Sequence, residues 1–223
     1  MTVKEKFLKK WYDVNPISKK RRNDMRKALK NKDITLFCPN CIGGLLFHDL
    51  GLKFCSPTVN LMMLQTDFVK FMLDRDRYLN TEFEFFNHKK LDCPCAKLDD
   101  ITVHFTHYKT PDEAKSKWED RAKRINPDNT FVLMIERDGV TKEDIASLAN
   151  LNVRGIVVFT AHDYKDIPYA LYVPDCVSDN QVDSMLSRSL LSGQRDYDKY
   201  FDFVKWFNEA NGKDYDISPY IKR

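Results

Sequence analysis

Beyond residue 33, apolar runs rich in β-branched and aromatic residues alternate with stretches of helical spacing, and this alternation constrains the fold of the 223-residue chain more than any other feature. Residues 34–37 and 58–63 read as strands, and 66–79 as a helix capped by Thr66, with Phe68, Phe71, Met72 and Leu79 on its apolar side. A short strand at 82–86 and a loop through 90–99 lead to 101–107, which alternates as a strand should. Helix 111–125, burying Ala114, Trp118, Ala122 and Ile125, precedes strand 131–136. Helix 142–151, opened by Thr141 with Asp144 three residues on, precedes strand 155–160. The resulting β-α-β-α-β order predicts a layered, Rossmann-like α/β fold with a largely parallel sheet, completed by a strand at 169–173 and two C-terminal helices. The last helix, 195–210, places Tyr197, Tyr200, Phe201, Val204 and Phe207 on one face, as core rather than as a cofactor site.

Composition divides the chain in two. With 43% hydrophobic residues it can bury one substantial core, so residues 33–223 are expected to form a single α/β domain. Residues 1–32 carry 12 Lys or Arg against 3 acids, while the remainder holds 24 against 30. This basic arm, with Val3, Phe7, Leu8 and Trp11 at helical spacing and the run Lys19-Lys20-Arg21-Arg22, suits either an anionic membrane surface or packing on the body. A nucleic-acid partner is not expected, because the body is acidic and no recognition motif occurs. No run approaches the roughly 18 apolar residues of a spanning helix, and no export signal is read, so the chain is expected in the cytoplasm, its six cysteines as reduced thiols.

The stretch CPNCIGGLLFHDLG, residues 38–51, offers three chemistries. Zinc needs four converging ligands, yet Cys38-x-x-Cys41 is matched only by a distant Cys93-Pro94-Cys95 and a lone Cys55, so no metal is expected. A redox dithiol requires a helix to start at Cys38, which Gly43-Gly44 interrupts. The remaining reading is a loop, Asn40 to Gly44, whose backbone N–H groups cradle a phosphate or diphosphate ahead of a short helix at 45–50; a plain tight turn is the alternative.

Asn40-Cys41-Ile42-Gly43-Gly44, Asp49-Leu50-Gly51-Leu52-Lys53, Ser56-Pro57, Asp67-Phe68-Val69-Lys70-Phe71 and the run from Ile101 through Lys109 occur in that order. So do Lys117-Trp118-Glu119, Arg121, Arg124-Ile125-Asn126, Asp128-Asn129 and Arg137-Asp138-Gly139. Together they resemble the bacterial domain-of-unknown-function 1919 family over roughly residues 34–165. That family has a polar residue, commonly Ser or Asn, where this chain has Cys38-Pro39, which makes the CxxC incidental. Its members are often labelled exopolysaccharide or capsule biosynthesis proteins. The resemblance therefore implies a place in surface-polysaccharide assembly, without supplying a reaction.

The residues suggest chemistry for that place. His107, at the end of its strand, is a candidate general base or a structural hydrogen bonder. Asp138 before Gly139 is a candidate for acceptor activation or a turn former. Arg121 and Arg124 suit bidentate phosphate recognition or form a solvated face. Asn40, Gly43, Gly44, Lys53 and Ser56 are the remaining substrate-binding candidates. The expected function is a transferase moving a glycosyl or phosphate-bearing group from an activated donor to a polysaccharide precursor at the inner membrane face; no cofactor is indicated. Two alternatives stand beside it: a non-catalytic ligand-binding or assembly protein of the same pathway, and an acyltransferase with Cys41 as nucleophile and His107 as base.

Overall fold

The computed structural model describes residues 11–12 and 14–222. The expected apolar face of Val3, Phe7 and Leu8 lies outside them. Helix α1 (Pro16–Ala28) is capped by Asn15, whose Oδ1 accepts from Ile17 N. It is followed by strand β1 (Thr35–Phe37) and helix α2 (Cys41–Leu50). Arg26 of α1 donates to the carbonyls of Asp49 and His48, satisfying the C-terminal end of α2.

The stretch 58–63 is a turn and not a strand. Asn60 takes a left-handed φ of 66°, which ends any extended run, and only Met62 pairs, as an isolated bridge to His104. The helix expected over 66–79 is two, α3 (Gln65–Leu73) and α4 (Arg75–Asn80), parted at Asp74, and Thr66 lies inside α3 instead of capping it. Strands β2 (Glu84–Phe86), β3 (Cys95–Leu98) and β4 (Ile101–His104) form a separate antiparallel sheet. Strand β3 occupies the expected loop, and a tight turn with Asp99 at φ 56° returns the chain into β4. Strand β4 thus stops at His104, short of His107.

Helix α5 (Pro111–Ala122), capped by Thr110, leads to β5 (Thr130–Ile135). Helix α6 (Lys142–Ser147), with the expected Thr141–Asp144 capping box, leads to β6 (Gly155–Thr160) and β7 (Ala170–Tyr172). Strands β1, β5, β6 and β7 pair in that order, all parallel. The class is the layered α/β fold that the sequence predicts, with one change of membership: the strand after residue 100 belongs to the small sheet, and β1 is the neighbour of β5. Strands β5 and β6 are buried at every position, as parallel strands covered on both faces must be. Phe37 packs against Phe71 of α3 on one face. Phe131 meets Trp206 and Phe207 on the other.

A minimal hairpin, β8 (Val177–Ser178) and β9 (Gln181–Val182), and a bridge between Arg188 and Arg195 precede the C-terminal helices. The expected helix 195–210 is split into α7 (Asp196–Tyr200) and α8 (Phe203–Glu209), because Phe201 is held extended by a bridge to Ile221. Of the five residues expected on one face, Tyr197, Phe201 and Phe207 are buried core, while Tyr200 and Val204 are half-buried against it; Phe203 and Trp206 complete the buried set.

Candidate functional site

Helix α2 begins where β1 ends, four residues earlier than the glycine pair suggests. Asn40 is its N-cap, extended at φ −144°, with Oδ1 accepting from Ile42 N at 2.9 Å. The expected glycine cradle is therefore the first turn of a helix. An added Cβ at Gly43 would stand 2.8 Å from Cys38 Cβ, and one at Gly44 would stand 3.1 Å from Asn60 Oδ1 and 3.6 Å from Val59. The glycines let α2 lie close on β1 and on the 58–61 turn.

This close packing gives the two cysteines different environments. Cys38 is fully buried, its N–H donates to Thr58 Oγ1, and burial pushes its thiol up to about 12, against lowering hydrogen bonds from Asn40 and Gly43. Cys41, at the first position of α2, is half-buried, and its Sγ lies 3.7 Å from His107 Nε2. Burial raises the Cys41 thiol above the ordinary range, opposed by the positive charge of Arg195. The resting pair is thus a neutral thiol beside an exposed imidazole.

Residues 66 positions apart meet because one segment ties the two sheets together. Met63 N donates to the carbonyl of Pro39, at the start of the Cys41 turn, and Met62 exchanges both backbone hydrogen bonds with His104. The chain then turns tightly after β4, with Tyr108 N donating to Phe105 O, and presents His107. Arg121 braces this turn: its Nη1 donates to Val59 O at 2.6 Å and to the Tyr108 hydroxyl, and its guanidinium lies over the rings of Phe54 and Tyr108. Arg121 was a substrate-binding candidate; being buried and committed to these partners, it is a strut beside His107.

Other candidates lie apart from this pair or are closed off. Ser56 is fully buried, bonded to Thr58 Oγ1 at 2.9 Å, and cannot touch a ligand without unfolding its loop. Lys53 is exposed just past α2. Arg124 is exposed, its Nη1 donating to Phe54 O at 3.3 Å. Asp138 takes a left-handed φ of 57° in the turn after β5, with its N–H bonded to Gln181 Oε1 at 2.9 Å and Arg137 Nε 3.4 Å from its carboxylate, which is the turn-forming role.

The structure adds residues that the sequence argument passed over. At the carboxyl ends of β5 and β6, buried Glu136 accepts from Ala161 N, His162 Nδ1 and the Tyr164 hydroxyl at 2.7, 2.9 and 2.6 Å. The carboxylate thereby orients the His162 ring, with Nδ1 turned toward Glu136. Burial and the Glu136 bond raise the Tyr164 hydroxyl above its ordinary value. The signal was available, since Glu136 ends the 131–136 run and His162 lies two residues past the 155–160 run. Along α2, Asp49 shares a face with Cys41 at i and i+8, and Arg188 and Arg195 approach its carboxylate at 3.9 and 3.8 Å. A cavity of about 560 Å³ lined by Phe85, Phe86, His88, Asp92 and Lys109 opens on the small-sheet side, two residues along from His107. Among the described residues no three His, Cys, Asp or Glu side chains are grouped to hold a metal ion.

Comparison with known proteins bears on the whole of this architecture. The family described as Domain of unknown function (DUF1919) matches residues 14–208. This chain belongs to the DUF1919 family. The matched span of the DUF1919 protein takes in the parallel sheet, Cys41, His107 and the segment carrying Arg188 and Arg195. A Haemophilus influenzae protein, described as uncharacterized, is 37% identical to it over 186 residues, covering 83% of this chain and 89% of that protein.

Proposed function

We propose that this DUF1919 protein is a cysteine-dependent acyltransferase. The observation that carries the reading is the 3.7 Å approach of Cys41 Sγ to His107 Nε2 at the carboxyl end of a parallel strand. In the first half-reaction His107 takes the thiol proton as the sulfur attacks the carbonyl carbon of an activated acyl donor such as a thioester. The donor's own thiol leaves and takes that proton, and the acyl group remains on Cys41. In the second, His107 takes the proton of an acceptor hydroxyl whose oxygen attacks the acyl carbon, and the Cys41 sulfur leaves reprotonated. A thiol held neutral by burial suits this order, because the nucleophile forms only when donor and base are both in place.

The transfer of a phosphate-bearing or glycosyl group has less support, since Gly43 and Gly44 are spent on packing and Arg121 on bracing. The label that family members often carry supports a saccharide hydroxyl as acceptor, and the basic arm supports action beside an anionic membrane. No described helix is long and apolar enough to cross one.

The test uses intact protein and acetyl-CoA as probe, followed by peptide mass analysis. Acyl label is expected on Cys41 and absent from Cys55, a comparably half-buried thiol. Equal labelling of the two, or none on Cys41, would overturn the acyltransferase reading and favour a non-catalytic binding protein.

A further inference from the structure

Among the described residues, eleven large hydrophobic side chains are exposed, and five of them fall in two short pieces of chain that are bonded to each other. Trp11, Val14 and Ile17 are 44, 52 and 56% exposed, and Leu190 and Leu191 are 57 and 74% exposed. Trp11 Nε1 donates to Leu190 O at 3.1 Å, and Asn15 Nδ2 donates to the carbonyls of Leu190 and Leu191 at 3.3 and 3.0 Å. Below them the Tyr12 hydroxyl donates to Arg188 O, and the Arg188 guanidinium lies 4.4 Å from the centre of the Tyr12 ring. Gly193, at a left-handed φ of 68°, lets the tip settle on Ser18, where a Cβ would stand 2.2 Å from the hydroxyl. The two leucines are thus held outward on a braced hairpin tip. An apolar cluster presented this way signals a partner.

We infer that Trp11, Val14, Ile17, Leu190 and Leu191 form a single apolar surface that inserts into an anionic lipid bilayer. Charge decides for lipid over a second copy of the chain. Exposed Lys19 and Lys20 follow the patch on α1, Lys4, Lys6, Lys9 and Lys10 precede it in sequence, and residues 1–32 hold 12 basic residues against 3 acids. Two copies meeting face to face would bring these like charges together, whereas anionic headgroups neutralise them. Tryptophan at the edge of an apolar surface suits the headgroup boundary. The hairpin bearing the leucines also carries Arg188 and Arg195 to α2, the helix that Cys41 opens. This inference rests on the membrane part of the proposed function and is independent of the Cys41 chemistry.

The test is co-sedimentation of the full chain with vesicles of phosphatidylcholine alone and of phosphatidylcholine mixed with phosphatidylglycerol. Wild type is expected to pellet with the mixed vesicles. Because Trp118 and Trp206 are buried, the accompanying tryptophan blue shift reports Trp11. Leu190→Ser with Leu191→Ser should lower partitioning at least about tenfold while leaving the melting temperature unchanged, and Lys19→Glu with Lys20→Glu should remove the preference for anionic lipid. Full binding by the leucine variant would overturn the assignment of this patch while preserving a membrane role for the arm. Absence of binding by every form would remove the membrane reading itself. Concentration-dependent dimerisation of wild type, abolished by the leucine substitutions and insensitive to lipid, would instead assign the patch to a second copy.

Discussion

Cys41 and Cys38 stand three residues apart and face opposite fates, and two measurements separate them. Cys41 has an exposed imidazole at 3.7 Å, so His107→Ala should slow its acylation near neutral pH by about 10²-fold or more. Alkylation at high pH, where hydroxide removes the thiol proton, should change little. An equal loss in both assays would mean that His107 only holds the turn. Cys38 contributes through linkage. Burial raises its thiol from 9.0 to about 12, so between those values the folded chain keeps a proton that the unfolded chain has released. Its stability contribution is therefore complete below about pH 9 and falls as pH rises toward 12, by about 1.4 kcal/mol per pH unit. Denaturant titrations of wild type and Cys38→Ala across this range should show the shallower alkaline decline in the variant; parallel curves would refute the assignment. Sequence spacing alone presents both thiols as one CxxC. Their separation becomes visible only when Cys38 is under the helix and Cys41 is at its start.

At the scale of elements, α2 is the place where a plausible local reading failed for a physical reason. Two adjacent glycines disfavour a helix by about 1 kcal/mol each relative to alanine, which is why the helix was expected to begin after them. The Asn40 cap and packing on β1 outweigh that cost. Two substitutions probe the result. At Gly43 the new Cβ meets Cys38 Cβ, an atom fixed to the backbone, so Gly43→Ala should lower stability by about 1–3 kcal/mol despite its better helix propensity. At Gly44 the nearest atom is the movable Asn60 amide oxygen, so Gly44→Ala should be close to neutral or slightly stabilising. Thermal melts of the pair test the packing role. If instead Gly43→Ala leaves the melt unchanged, the approach of α2 to β1 is looser than 2.8 Å implies.

At the scale of the molecule, one parallel sheet and one small antiparallel sheet are joined by residues 62–63 and by Arg121. The guanidinium binds Val59 O and the Tyr108 hydroxyl between two rings, so Arg121→Leu leaves the buried Val59 carbonyl with the Tyr108 hydroxyl as its remaining donor and removes the charged bridge, which should cost about 1–3 kcal/mol. It should also slow Cys41 acylation in the fraction that remains folded, because Tyr108 adjoins His107. A variant with full acylation and unchanged melting would show that the two sheets hold together without the strut. The separation of the cysteine pairs leads to a further expectation, a chain purified without stoichiometric zinc and unaffected by chelator; one zinc per chain by elemental analysis would contradict it.

Strands β5, β6 and β7, the capping box of α6 and the basic character of the first 32 residues are decided locally, by runs of apolar residues, cap chemistry and charge, and the sequence by itself determined them. It also named both Cys41 and His107. Tertiary structure alone decided that they meet, because the approach runs through Pro39, Met63, Met62 and His104, four residues whose backbone bonds carry no side-chain signature. It decided, too, that β1 and not β4 lies beside β5, since the 101–104 run alternates equally well in either sheet. Glu136 with His162, and the joining of Trp11 to Leu190, depend on distances across the fold. A local pattern records which face a residue prefers; only closure of the chain determines what that face meets.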